Sequence, residues 1–222
     1  MKKATLFIIA AMLVTFHANA QKKFTYGVKG GVNVAEITNL WSNSPSEIGF
    51  NGDVPKAFLN IGAFAEWRLA SFFAVSPELV YSVQGIGNNT SESILGGSVK
   101  IASKMNLSYI NIPIMAKIYP FKWLSVDMGP QVGLLVAAKT KSDITTDLAG
   151  ITQHEKESID TKDYLETLDF GFGVGFTFNF SKHIFFQPRY YIGLTEIVKN
   201  PKDLNDDKHS NRVIQFSLGY RF

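Results

Sequence analysis

No cysteine occurs among the 222 residues, so the chain can build no disulfide, no thiolate metal site and no cysteine nucleophile. Histidine is scarce, at four. A dominant charge is also missing, with 22 Lys and Arg against 19 Asp and Glu. Lacking a basic stripe, the chain is not expected to bind nucleic acid. Long apolar runs are absent as well, since a membrane helix needs roughly 20 such residues. The one apolar stretch, Ala4–Phe16, follows Lys2 and Lys3 and precedes Ala18-Asn19-Ala20. That order predicts a signal peptide over residues 1–20, cut after Ala20. Removing Lys2 and Lys3 takes the formal charge from +3 to +1. Residues 21–222 are then expected to form a single domain with no linker.

What is present is aromatic and alternating. The chain holds 18 Phe, 8 Tyr and 18 Gly. Eight segments place apolar residues at every second position, the period of a strand with two unlike faces. The cleanest sets Leu168, Phe170, Phe172, Val174, Phe176 and Phe178 against Asp169, Gly171, Gly173, Gly175, Thr177 and Asn179. The first runs from Phe24 to Val34, the second from Leu59 to Leu69 and the third from Val75 to Gln84. The others cover Tyr109–Ile118, Leu124–Val136, Ile184–Leu194 and Ile214–Phe222. Most are near the roughly 9–11 residues that a tilted membrane strand requires.

The connections alternate too. Tight turns are expected at Leu69–Phe72, Pro120–Trp123 and Phe180–His183. Long polar loops are expected at Glu36–Ala57, Ile86–Lys104, Lys139–Asp163 and Thr195–Asn211. Short turns on one side and long loops on the other predict an eight-stranded antiparallel up-and-down transmembrane β-barrel.

The polar face decides between a soluble and a membrane barrel. It carries Gly27, Gly31, Gly129, Gly133, Gly171, Gly173 and Gly175, and a water-facing exterior has no use for so much missing side chain. A narrow lumen does, because glycine on one strand makes room for a long side chain from another. The same face carries Lys29, Arg68, Lys117, Arg189 and Arg221 against Glu66, Glu78, Asp127 and Asp169. Nearly equal numbers are what a paired, buried network needs. The opposite face has no charge in any of the eight runs, which suits lipid. Phe24, Tyr26, Trp67, Phe73, Tyr119, Phe121, Trp123, Phe178, Phe180, Tyr220 and Phe222 gather toward the turn end and suggest an interfacial girdle. Pro77, Pro113, Pro130 and Pro188 fall inside strands, where bulges or rim positions are expected to absorb them.

Several segments carry a family resemblance. The ending Ile214-Gln215-Phe216-Ser217-Leu218-Gly219-Tyr220-Arg221-Phe222 resembles the signal read by the outer-membrane barrel assembly machinery, with Ile214, Phe216, Leu218, Tyr220 and Phe222 as its apolar positions. Pro77-Glu78-Leu79-Val80-Tyr81-Ser82, Tyr109-Ile110-Asn111-Ile112-Pro113, Gly129-Pro130-Gln131-Val132-Gly133 and Gly193-Leu194-Thr195-Glu196-Ile197 are together similar to the PorT-type outer-membrane β-barrels of Bacteroidota. So is the Ala20-Gln21 junction. The resemblance implies a barrel in the cell outer membrane of a Gram-negative bacterium. The family's namesake is linked to type IX secretion, but the resemblance transfers no catalytic residue.

Enzymatic constellations are thin. His154 and His209 fall in outer loops near Glu155, Asp207, Ser158 and Ser210, while His183 falls in a turn; solvated loop residues are the simpler reading. Asp203, Asn205, Asp206 and Asp207 form no complete calcium loop. The glycines at 171, 173 and 175 are mis-spaced for a dinucleotide site and precede no helix. No catalytic, metal or cofactor-binding set is therefore expected. The chain reads as a non-enzymatic, monomeric barrel that contacts lipid, lipopolysaccharide, the assembly machinery and a surface or secretion partner. The loop carrying Trp41 and Phe50 and the loop Lys139–Asp163 are the expected contact surfaces. Alternatives are a small channel or hydrophobic-ligand carrier, and a hydrolase or acyltransferase sited on the rim.

Overall fold

A computed structural model describes residues 24–37, 57–94, 97–148, 151–199 and 209–222. Its strands are β1 (Phe24–Ile37), β2 (Ala57–Ala70), β3 (Phe73–Ile94), β4 (Gly97–Phe121), β5 (Leu124–Leu148), β6 (Ile151–Asp160), β7 (Leu168–Asn179), β8 (Ile184–Gly193) and β9 (Asn211–Arg221). Every pairing is antiparallel, and β4–β5 joins the two flanks of the sheet. Eight strands thereby close a ring in the order β1-β2-β3-β4-β5-β7-β8-β9, as the alternation predicts. The ninth, β6, pairs with β5 above that ring.

Period-2 patterning fixes the two faces. In β9 burial alternates without a break, from buried Asn211 through Val213, Gln215, Ser217 and Gly219 to Arg221. The intervening Ile214, Phe216, Leu218 and Tyr220 lie outside. The exterior of β2 is more exposed still, with Leu59 at 72 % and Ile61 at 65 %. An apolar band of that extent on a folded surface marks contact with a non-aqueous partner. Toward the turn end the band becomes aromatic: Phe121 stacks on Trp123, Trp123 on Phe178, Phe178 on Phe186 and Phe186 on Phe216, with ring centroids 5.7–6.5 Å apart. Tyr119 does not join them. It shares the parity of Lys117, points inward and is buried, so its place in the expected girdle is withdrawn.

Two of the expected outer loops are strands instead. Residues 86–94 pair with 97–105, and 139–148 pair both with 97–106 and with β6. The outer halves of β3, β4 and β5, with β6, thus form a four-stranded sheet standing beyond the ring. Each extension inherits the register of the wall beneath it, so its backbone hydrogen bonds follow from the turn already made below. Weak apolar alternation at Val99, Ile101 and Met105 supports the strand, although polar residues outnumber these.

The prolines are absorbed neither by bulges nor at the rim. Each interrupts one ladder for two pairs, after which pairing resumes in the same register. The gaps fall at Pro77 against β2, at Pro113 against β3, at Pro130 against β4 and at Pro188 against β7. On its other side each proline remains paired, to Ile114, Gln131, Phe172 and Phe216 respectively. Proline removes a single donor, so a closed ring tolerates it by leaving one bond unmade. Register shifts fall elsewhere, at Ser108/Tyr109 opposite Leu135 and Ala137 and, near the turns, between Arg68 and Ala70 and between Ile118 and Phe121.

Candidate functional site

Glycines set the shape of the lumen. Gly27 lies directly opposite Phe64, and Gly219 directly opposite Phe185, on the neighbouring strands. A Cβ at Gly27 would meet Phe64 Cζ at 2.7 Å, and one at Gly219 would meet the Phe185 ring. The two rings meet edge to face in that recess, 5.3 Å apart at 84°. On β7, Gly173 makes room for Tyr191 and Gly175 for Arg189.

Into that space the strands aim a balanced set of charges. Arg189 donates from both terminal nitrogens to the two oxygens of Glu78, each at 2.8 Å. It also reaches Asp127 at 3.0 Å. Lys29 donates to Glu78 at 2.6 Å and to Gln187 at 2.9 Å. Asp127 further accepts from Ser125 and Thr177, each at 2.6 Å, and from Gln187 at 3.1 Å. Beside this cluster, Glu66 accepts from Lys117 at 3.0 Å, from Tyr119 at 2.7 Å and from Arg68 at 3.3 Å. The Arg68 guanidinium lies 4.1 Å from the Tyr119 ring centroid. Four buried cations, Lys29, Lys117, Arg189 and Arg221, stand against three buried acids, Glu66, Glu78 and Asp127. Charges removed from water are tolerable when paired in this way, and of Arg189 only Nε is left without a hydrogen-bond partner.

Two residues of the charged set stand apart. Arg221 lies over the Phe185 ring at 4.4 Å. Asp169 sits at the outer end, accepting from Asn211 at 2.7 Å and from Thr195 at 2.9 Å. Between the ends is a neutral layer that reading by charge alone overlooks. There Asn60 donates to Asn33, Asn33 to Ser82 and Ser217 to Asn60, at 2.8–3.0 Å. Their shared parity with the charged residues was the available signal.

Toward the outer end the interior becomes apolar. Leu107, Tyr109, Leu135, Ala138, Leu165 and Ile197 form a buried apolar cluster, with Met105 and Val198 packed against it. The connections around Leu165 and Ile197 are tied by a Leu165–Val198 bridge and by Glu166 N donating to Ile197 O at 2.9 Å. Ile197 N in turn donates to His209 O at 3.0 Å. On the other side β3 passes within the wall: a Cβ at Gly85 would lie 2.9 Å from Phe58 Cζ, and Phe58 points inward from β2.

Among the described residues the histidines assemble no catalytic group. His209 is buried rather than solvated, and its backbone N–H donates to both oxygens of Glu196 at 3.1 and 2.9 Å. His154 lies exposed on β6, 3.0 Å from the Thr145 hydroxyl. His183 contacts the Arg221 carbonyl at 2.9 Å and stacks on Tyr220. Among the described residues no group of three His, Asp or Glu could hold a metal ion. Asp203, Asn205, Asp206, Asp207, Trp41, Phe50 and the stretch 1–20 lie outside the described residues.

Residues 19–199 match the family model of the outer membrane protein beta-barrel domain. The chain belongs to that family. As a member, it is an outer-membrane β-barrel. Comparison with the curated proteins gives no match. Among solved structures, the chain is similar to Ail, the attachment invasion locus protein of Yersinia pestis, at 10% identity and TM-score 0.44, covering 90% of this chain and 99% of that one. It is also similar to CarO of Acinetobacter baumannii, at 13% identity and TM-score 0.41, covering 88% and 97%. A third, OprG from Pseudomonas aeruginosa, stands at 11% identity and TM-score 0.39, covering 90% and 96%.

Proposed function

We propose that this family member is a non-enzymatic barrel with a closed lumen, and that it works through the sheet standing above the membrane. The observation that carries the reading is the lumen itself. Its central ions are paired, aromatic rings fill the recesses at Gly27, Gly173 and Gly219, and Leu107, Tyr109, Leu135, Ala138, Leu165 and Ile197 form a buried apolar cluster toward its outer end. A barrel of eight strands has little interior beyond what its side chains fill. Neither a nucleophile with a base nor a path for solute emerges from that packing, and the surface left for a role is the protruding sheet.

Single-channel recording in planar bilayers tests the closed lumen. Silence is the expected outcome, and stable, sizeable currents would replace this reading with a channel. Within the family, the segments around Pro77, Tyr109, Gly129 and Gly193 support placement with the PorT-type barrels of Bacteroidota. A cleaved signal over 1–20 and a C-terminal assembly signal at Ile214, Phe216, Leu218, Tyr220 and Phe222 belong to the same proposal. Truncating Phe222 should lower the amount of folded protein in the membrane; unchanged levels would remove that signal from the reading.

A further inference from the structure

At the turn end of the barrel, the charged side chains that reach solvent are all basic among the described residues. They are Arg68 at the end of β2, Lys122 in the β4–β5 turn and Lys182 in the β7–β8 turn, with the Arg68 side chain 41% exposed. The acidic side chains on the same strand ends, Glu66 and Asp127, point inward and are buried. Arg68 touches Glu66 at 3.3 Å, whereas neither Lys122 nor Lys182 forms an ion pair with a described residue. The outer end differs, because on the protruding sheet Asp143, Glu155 and Glu157 lie among Lys141 and Lys156.

Aromatic rings surround these cations. Phe121 and Trp123 flank Lys122 in the chain and stack on each other at 5.7 Å, and Phe180 stands two residues before Lys182. Phe72, Phe121, Trp123 and Phe180 are all exposed. Backbone bonds tie the turns to their neighbours: Tyr119 N donates to Phe72 O at 2.8 Å and Asn179 N to Trp123 O at 2.7 Å. Rings that border an apolar exterior sit at the headgroup depth of a bilayer. A lysine rooted at that depth lays its stem along the apolar surface and its ammonium among the headgroups.

We propose that this basic rim binds the phosphates of anionic glycerophospholipids in the leaflet that meets the turns. Each cation pairs with a headgroup phosphate while the neighbouring rings pack on the upper acyl chains. The cations are carried by three separate hairpins, an arrangement that suits a layer of headgroups better than one small anion. The site is independent of the closed lumen and of the protruding sheet.

The test uses the full chain as Trp41→Phe, reconstituted in vesicles of phosphatidylethanolamine and phosphatidylglycerol. Of the three tryptophans, this leaves Trp67 and Trp123, both at the turn end and half exposed, as the fluorophores. Their quenching by phosphatidylglycerol with brominated acyl chains is compared with quenching by brominated phosphatidylethanolamine. Stronger quenching by the anionic lipid is expected, corresponding to a preference of about tenfold at low salt. It should shrink as salt rises. Lys122→Gln with Lys182→Gln should remove most of it, and heat-modifiable gel mobility reports that the barrel remains folded. Equal quenching by the two lipids would overturn the proposal, as would a preference that salt leaves unmoved or that survives the double variant. Exchanging chloride for inorganic phosphate at equal ionic strength should change nothing. A selective loss in phosphate would mean that the rim holds free anions, and would overturn the proposal too.

Discussion

The sheet above the barrel continues three strands of the wall, β3, β4 and β5, yet the two regions obey different constraints. In the wall, every residue answers to lipid on one side and to a crowded interior on the other. A one-residue slip would put Glu78 into hydrocarbon and Leu79 against Arg189, so register is fixed by solvation alone. In the protruding sheet both faces meet water. There the ion pair Lys156–Asp143 is open to solvent, with side chains 78% and 45% exposed, against 1% and 2% for Arg189 and Glu78. The same chemistry, a cation beside a carboxylate, is therefore decisive in one region and nearly neutral in the other.

The contrast breaks most sharply at Glu78. Glu78→Ala strands two buried cations, Lys29 and Arg189, and should cost about 3–5 kcal/mol in urea unfolding of the detergent-folded protein. A loss below about 1 kcal/mol would show that the lumen tolerates a lone charge as the sheet does. Gly219→Val should follow, at about 1–3 kcal/mol, because the added side chain meets the Phe185 ring. Pro130→Ala runs the other way. It restores a donor facing β4 where the ladder is open, and should gain about 0.5–1 kcal/mol. Hydrogen exchange checks this directly, since the amide introduced at position 130 should exchange slowly. Asp143→Asn is the smallest change, expected below about 0.5 kcal/mol in the same unfolding measurement. Removing residues 141–158 should leave heat-modifiable mobility intact, and its loss would make the sheet part of the barrel's own foundation.

The wall was legible because its two environments differ so much. Lipid demands Phe170, Phe172 and Phe176 at one parity, and the lumen demands Gly171, Gly173 and Gly175 at the other, so alternation carries a strong signal. The charged residues of the lumen were visible for the same reason. Which of them touch was not, since Arg189 and Glu78 come from strands far apart in the chain. The outer halves of β3, β4 and β5 read as loops because water on both faces removes the alternation. Stretches such as Lys139-Thr140-Lys141-Ser142 leave only weak strand preference to read. Tyr119 was misplaced for a different reason. Its aromatic character outweighed its parity with Lys117, and the parity was the better guide. The prolines were misjudged because a missing donor was expected to distort the strand, whereas the ladder omits two pairs and continues.

One pairing in the ring differs from the others in its topology. Most walls of the cylinder join strands that follow one another along the chain, but β1–β9 joins Gly27 to Arg221 and Ile37 to Asn211. Hairpins can form in sequence, each at the modest entropy cost of a local loop, whereas this last seam must bring together the two ends of the described fold. Until it zips, the sheet is an open ribbon with two long unpaired edges and with Lys29 and Arg189 uncovered. A productive route into the membrane therefore has to shelter that ribbon from its neighbours, and the rate of closing the β1–β9 seam sets how long the shelter must last.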